Sequence, residues 1–215
     1  MIFVACSGFP VPVSRYFEEL NAVEISDTEL GIPGEGTTRR WLREAPRGAA
    51  FTVLAPRIIA NSGFAVNQEN NAALHEVKRF AEKLNALAVV FVGDSEFGPT
   101  RPNRSKIRSY FQSLPEGFPQ PVLDLPSWSM EQIESTLKSR EISVAFNPLK
   151  EEPAQMNALC YVRMPGPSGY RSRYDQESLS KVADYCKTSK SEVTFCVFRN
   201  SDRFVNCKNV LAALE

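Results

Sequence analysis

The stretch QENNAALHEVKRFAEKLNALAVVFV, residues 68–92, decides the fold. Its first part places Leu74, Val77, Ala81 and Leu84 on one stripe, with Glu76, Lys78, Arg79 and Lys83 on the solvated side. That spacing predicts an amphipathic helix from about Gln68 to Asn85. Its last part, Ala88–Val92, is apolar at every position. A strand apolar on both faces belongs in a parallel sheet covered by helices.

The same strand–helix unit recurs on either side of this stretch. Further strands are predicted at Ile2–Ala5, Ala22–Ile25, Phe51–Leu54, Pro121–Leu125, Ile142–Phe146, Ala158–Arg163 and Val193–Phe198. Helices between them are opened by Ser14, by Thr37 or Thr38, by the capping-box pair Ser129 and Gln132, and by Asp175. The crossover after strand six, Asn147–Asn157, is short and contains proline, so only a turn or two of helix is expected there. Eight such units predict a (β/α)8 TIM-barrel-like fold, with residues 1–215 as one domain and an open doubly wound sheet as the alternative.

Composition narrows the function classes. Hydrophobic residues make up 43% and charged residues 23%, enough for a buried core. Lys+Arg and Asp+Glu are equal at 25 each, so nucleic acid or an anionic membrane would have to bind through a local patch. Met1–Pro10 reads as a strand, not a signal peptide, and no apolar run approaches the ~20 residues of a membrane span. The five cysteines form no C-x-x-C pair and read as small buried hydrophobes in a reducing compartment, which points to a cytoplasmic protein. The oligomeric state is not readable.

Several segments, in order along the chain, resemble the YecE-like family, the domain of unknown function numbered 72. Asn21-Ala-Val-Glu24 is similar to its F-N-x-V-E-x-N strand, Thr38-Arg-Arg-Trp41 to its V-x-x-W helix, and Phe51 to Ala55-Pro56-Arg57 to its F-x-F-x-x-K-A-P-R segment. Ser127-Trp128, Tyr161-Val-Arg163-Met-Pro-Gly166 and Phe198-Arg-Asn200 resemble its S-W, Y-V-R-x-H-G and F-N-N motifs. The resemblance implies a TIM barrel. The chain departs from the pattern where Leu54 replaces a lysine, Pro165 a histidine, and Leu123-Asp124-Leu125 a Glu-x-Arg. Those departures remove much of the family's ionisable cleft and leave open whether any catalysis, and so any enzyme, remains.

A TIM barrel carries its site at the C-terminal ends of the strands. The polar residues expected there include Glu24, Arg57, Asp94, Asp124, Arg163 and Asn200. Glu24 is the candidate catalytic base or ligand anchor, paired either with Arg57 as part of a site or as a buried structural ion pair. Arg57, Arg163, Asn200, Gly166 and Arg171 are the candidate ligand-binding residues. The loop from Arg163 to Tyr174 combines glycines with arginines, which suits a phosphate or carboxylate. A second basic strip, Arg101, Arg104, Lys106 and Arg108, opens a helix, where a bound anion would offset the unfavourable helix dipole.

No metal and no cofactor are expected. Glu24, Asp94 and Asp124 are weak ligands for a hard cation, and the lone His75 lies on a helix surface, which argues against an imidazole zinc site and against a Ser-His-Asp triad. Three readings follow: a barrel binding a small anionic or phosphorylated ligand, a protein that binds nucleic acid or acts on phosphodiesters through the basic strip, or a degenerate barrel kept as an interaction module. The last would have a mouth plugged by Leu54, Leu125, Met164 and Pro165.

Overall fold

The computed structural model describes residues 1–137, 141–154 and 157–215. Eight parallel strands close into a barrel in sequence order: β1 (Ile2–Ser7), β2 (Ala22–Ile25), β3 (Ala50–Leu54), β4 (Ala88–Val92), β5 (Gln120–Asp124), β6 (Ser143–Phe146), β7 (Leu159–Met164) and β8 (Val193–Phe198). Closure is complete because β8 pairs with β1 from Ile2↔Thr194 to Cys6↔Phe198. The eight described helices are α1 (Val13–Glu19), α2 (Glu35–Glu44), α3 (Arg57–Asn61), α4 (Gln68–Leu84), α5 (Arg101–Gln112), α6 (Met130–Leu137), α7 (Gln176–Thr188) and α8 (Arg203–Leu214).

Strand periodicity divides the core into two shells. Val4, Cys6, Val23, Val53, Val89, Phe91 and Leu123 face outward and are covered by the helices. Residues of the opposite parity, among them Phe3, Ala5, Ala50, Leu54, Val90, Val122, Tyr161, Phe195 and Val197, fill the interior. Tyr161 and Phe195 stack there at 5.5 Å with an interplanar angle of 6°. A barrel of eight strands has an interior that side chains can fill, so this is a packed core.

The helix caps account for several predicted starts. Asp175 accepts from the backbone N–H of Ser178 at 2.8 Å. Ser129 and Gln132 form the reciprocal capping box, with the Ser129 N–H donating to Gln132 Oε1 at 3.0 Å and the Gln132 N–H to Ser129 Oγ at 3.3 Å. Asn85 ends α4 in the left-handed conformation, φ 50°. Two expected starts differ. Ser14 lies inside α1, which begins after Pro12, and α2 begins after Gly34, ahead of Thr37 and Thr38. Proline and glycine set these entries through backbone geometry, without a side-chain bond. The crossover after β6 makes one turn, in which the Lys150 N–H donates to the Asn147 carbonyl at 2.9 Å. Residues 155–156 of that crossover lie outside the described residues.

No described helix is long and apolar enough to cross a membrane.

Candidate functional site at the barrel mouth

Interior parity carries three charged side chains to the C-terminal end of the barrel. Glu24 follows Ala22 on β2, Asp124 follows Val122 on β5, and Arg163 follows Tyr161 on β7. They meet. Arg163 Nε donates to Glu24 Oε2 at 3.1 Å and Nη2 to Oε1 at 3.1 Å, the two-pronged arrangement that matches a guanidinium to a carboxylate. Arg163 Nη1 donates to Asp124 Oδ2. The Tyr161 hydroxyl donates to Glu24 Oε2 at 2.9 Å and lies 2.9 Å from Thr52 Oγ1, which supplies the return donation.

This cluster is sealed. Glu24 is fully buried and Arg163 is 4% exposed. Burial alone would raise the Glu24 pKa. The Arg163 charge, then Arg199, with hydrogen bonds from Ser7 and Arg163, outweighs it and holds the carboxyl below its ordinary value. Burial also opposes the Arg163 charge, but Glu24 and Asp124 overcome it and lift its pKa. At neutral pH Glu24 is therefore an ionised acceptor with its oxygens occupied, which is a poor starting state for a general base.

The expected partner of Glu24 is corrected by this geometry. Arg57 does not pair with Glu24. It is the first residue of α3, a helix that the sequence reading did not anticipate, and its half-exposed side chain lies 3.6 Å from Glu29. Asn200 is fully buried, and both ends of its amide are engaged. Nδ2 donates to the Ser172 carbonyl at 2.9 Å, and Oδ1 accepts from Asn206 Nδ2 at 2.9 Å. It ties the start of α8 to the 166–174 loop.

Gly166 is a hinge of that loop. Its φ is +104°, and a Cβ built on it would stand 2.2 Å from the Gly169 carbonyl oxygen. Its N–H is taken by the Tyr174 hydroxyl at 2.9 Å. Arg171 is exposed at the loop surface, and Arg173 pairs with Asp202 at 2.8 Å. The loop is folded on its own hydrogen bonds, not around an open anion cradle.

The basic strip also has an internal explanation. Thr100 caps α5. Arg104 donates to the carbonyls of Pro99 at 3.1 Å and Gln132 at 3.0 Å and to Thr136 Oγ1 at 2.8 Å, and its guanidinium lies 5.4 Å from the Trp128 ring centre. These contacts bolt α5 to α6 and compensate Arg104 without a bound anion. Asp94, once a candidate metal ligand, accepts the Glu96 N–H at 2.9 Å in its own loop. His75 is exposed on α4.

Arg199 is the residue the sequence reading missed. It sits one step beyond β8 with the parity of Phe195 and Val197, so its side chain enters the mouth. The like charge of Arg163 is the main cause that holds its pKa below the usual arginine value, and burial adds to it. Among the described residues its guanidinium makes no hydrogen bond or ion pair. The signal was present in the alternation of β8, which points residue 199 inward and residue 200 outward.

Arg163 and Arg199 line one side of a recess of about 190 Å³. Leu125, Trp128, Met130, Ile133 and Phe146 form its apolar wall, with Asp124, Asn147 and Lys150 among its polar groups. Of the residues expected to plug the axis, Leu54 is buried in the barrel interior, whereas Leu125 and Met164 are buried in the outer shell beneath the helices and Pro165 is exposed and borders the recess. The recess opens between the ends of β5 and β8. A larger groove, of about 780 Å³, runs between α2 and α4 on the outside of the barrel. Its charged residues include Glu35, which lies 3.2 Å from Arg39 and 3.4 Å from Lys83.

No curated protein matches this chain. Among solved structures it resembles a DUF72 family protein from Enterococcus faecalis, with a TM-score of 0.76 and 17% identity over 100% of this chain and 95% of that one. A DUF72 family protein from Thermotoga maritima gives 0.72 and 16%, covering 100% and 99%. A GH18 chitinase from Pseudoalteromonas aurantia gives 0.56 and 9%, covering 99% of each. At such identities these likenesses speak for the barrel alone. The sequence model of the family described as "Protein of unknown function DUF72" matches residues 12–214, so the chain belongs to that family.

Proposed function

We propose that this protein binds a small anion in the recess between the ends of β5 and β8, with Arg199 as the principal contact. The observation that carries this reading is a partly buried guanidinium without a bonded acceptor among the described residues, set beside a second arginine whose donors are already committed. Placing two cations side by side costs energy, and an acceptor between or beside them lowers it. Lys150 and Asn147 stand on the same recess and would add donors. Arg163 is then a fixed wall, held by Glu24 and Asp124, not a mobile ligand clamp.

The reading assigns no catalytic step. Glu24 has no free oxygen with which to take a proton from a ligand. The five buried thiols support a binding role in a reducing, cytoplasmic setting, and burial pushes the Cys160 thiol up to about 11, far from an activated nucleophile. The polar recess favours ligand binding over a purely degenerate interaction module. The internal engagement of Arg104 removes one support from a nucleic-acid reading.

Thermal-shift titration with formate, acetate and inorganic phosphate tests the proposal. At least one anion should raise Tm in the unaltered protein and lose that effect in Arg199→Gln. Identical responses of the two proteins, or no response to any anion, refute it.

A further inference from the structure

Resting on that reading, we infer that the ligand is a small apolar monocarboxylate, an aryl or branched-alkyl acid about the size of benzoate. Three independent features of the recess select this class.

The first is its size. A cavity of ~150 Å³ lined by leucine, isoleucine and phenylalanine holds a benzene ring. The recess here is about 190 Å³. It therefore takes a six-membered ring with a carboxylate at the open end. A nucleotide or a fused bicyclic acid would have to extend beyond it into the open mouth.

The second is its lining. Leu125, Trp128, Met130, Ile133 and Phe146 offer hydrocarbon to the recess. The Trp128 indole N–H is already spent on the Phe97 carbonyl at 2.6 Å, so that ring presents no donor to a polar ligand. A wholly polar ligand such as a sugar phosphate would leave its hydroxyls against this wall without partners, at a cost of ~1–3 kcal/mol for each buried unpaired group.

The third is charge. Arg163 is bonded to both Glu24 and Asp124, whereas Arg199 feels Glu24, Asp124 and Glu29 only through space and has no bonded acceptor among the described residues. Lys150 and Glu151 both line the rim, and the Glu151 carboxylate accepts the Met130 N–H at 3.1 Å. One further negative charge can be met by the free fork of Arg199. A second negative charge, as on a phosphate dianion, would have to be met from the rim by Lys150, beside the Glu151 carboxylate. A planar carboxylate also matches the guanidinium geometry.

The experiment is calorimetric titration of acetate, isobutyrate, benzoate, 2-naphthoate and inorganic phosphate into the unaltered protein and Arg199→Gln. Benzoate should bind about tenfold or more tighter than acetate, from burial of the ring. Isobutyrate should fall between them. Naphthoate and phosphate should be weaker than benzoate, and Arg199→Gln should lose benzoate binding. A circular-dichroism melt of the variant confirms that it folds. Benzoate no tighter than acetate, phosphate or naphthoate tighter than benzoate, or benzoate binding untouched by Arg199→Gln would each overturn the inference. If acetate or phosphate still binds through Arg199, the anion-site reading survives while the apolar ligand class falls. If nothing binds, both fall.

Discussion

Replacing Glu24 by glutamine isolates what the buried cluster contributes. The carboxylate accepts two donations from Arg163 and one from Tyr161, beside the contact with Ser7. Glutamine keeps the shape but offers one acceptor oxygen, and its NH2 group turns donors toward donors. One charge-assisted bond is lost outright, worth ~1.5–3 kcal/mol. Arg163 also loses half of its neutralising charge, and breaking a buried ion pair costs ~3–5 kcal/mol when nothing replaces it. Asp124 remains bonded to Arg163, which places the loss near the lower end, about 3 kcal/mol. For a chain of this length that corresponds to a fall in Tm of roughly 6–12 °C. Urea denaturation at pH 7 measures the first figure and a thermal scan the second.

The same variant tests the electrostatics. The folded-state pKa of Glu24 lies below its ordinary value of 4.5. Its contribution to stability is therefore complete above that value and drains away as pH falls through the folded-state value. The unaltered protein should lose stability below pH 4.5 more steeply than Glu24→Gln, whose acid limb lacks this component. A cost below about 1 kcal/mol at pH 7, or acid limbs of equal slope, would show that the ion pair is not the organising contact of the mouth.

Arg104→Ala should destabilise by about 2–3 kcal/mol, because it removes the donors that join α5 to α6 and their cation–π contact with Trp128. Arg104→Lys should recover little, since a single ammonium cannot span the same acceptors, and urea unfolding of both variants measures this. Gly166→Ala should cost at least about 1–3 kcal/mol, because its φ is strongly positive and the added methyl meets the Gly169 carbonyl. Limited trypsin digestion should then cut faster at Arg171 and Arg173, and an unchanged cleavage rate would count against the loop's dependence on that turn.

The barrel was legible because its signals are local and repeated. Each strand shows an apolar run of the right length, and Asp175, Ser129 and Gln132 mark helix starts through side-chain bonds. The entries at Pro12 and Gly34 were not legible, because backbone geometry alone sets them. The site was harder to read because it depends on which strand ends meet across the barrel. Glu24 and Arg57 are close in the chain, yet the partner of Glu24 is Arg163, 139 residues away. Arg57 was displaced by α3, a helix of five residues that is too short to show a periodic pattern. Asn200 was favoured over Arg199 through a likeness to a motif, where the alternation of β8 gives the opposite answer.

That alternation also explains why one arginine is structural and its neighbour is free. Arg163 ends an interior row at the level of Val197, where β7 still pairs with β8. At that depth a guanidinium must be neutralised, and Glu24 and Asp124 lie within reach. Arg199 stands one interior step higher, past the end of β8, where the mouth opens and no carboxylate remains uncommitted. The buried cluster is weak evidence for stability as such, since a well-packed apolar substitute can serve equally well. Its physical consequence is positional. It fixes a positive charge beside Arg199 and commits the bonds of Glu24 and Asp124 to Arg163, so that their charges, with that of Glu29, reach Arg199 only through space. An outside acceptor is then the group able to satisfy Arg199, and the apolar wall opposite decides what that acceptor is attached to.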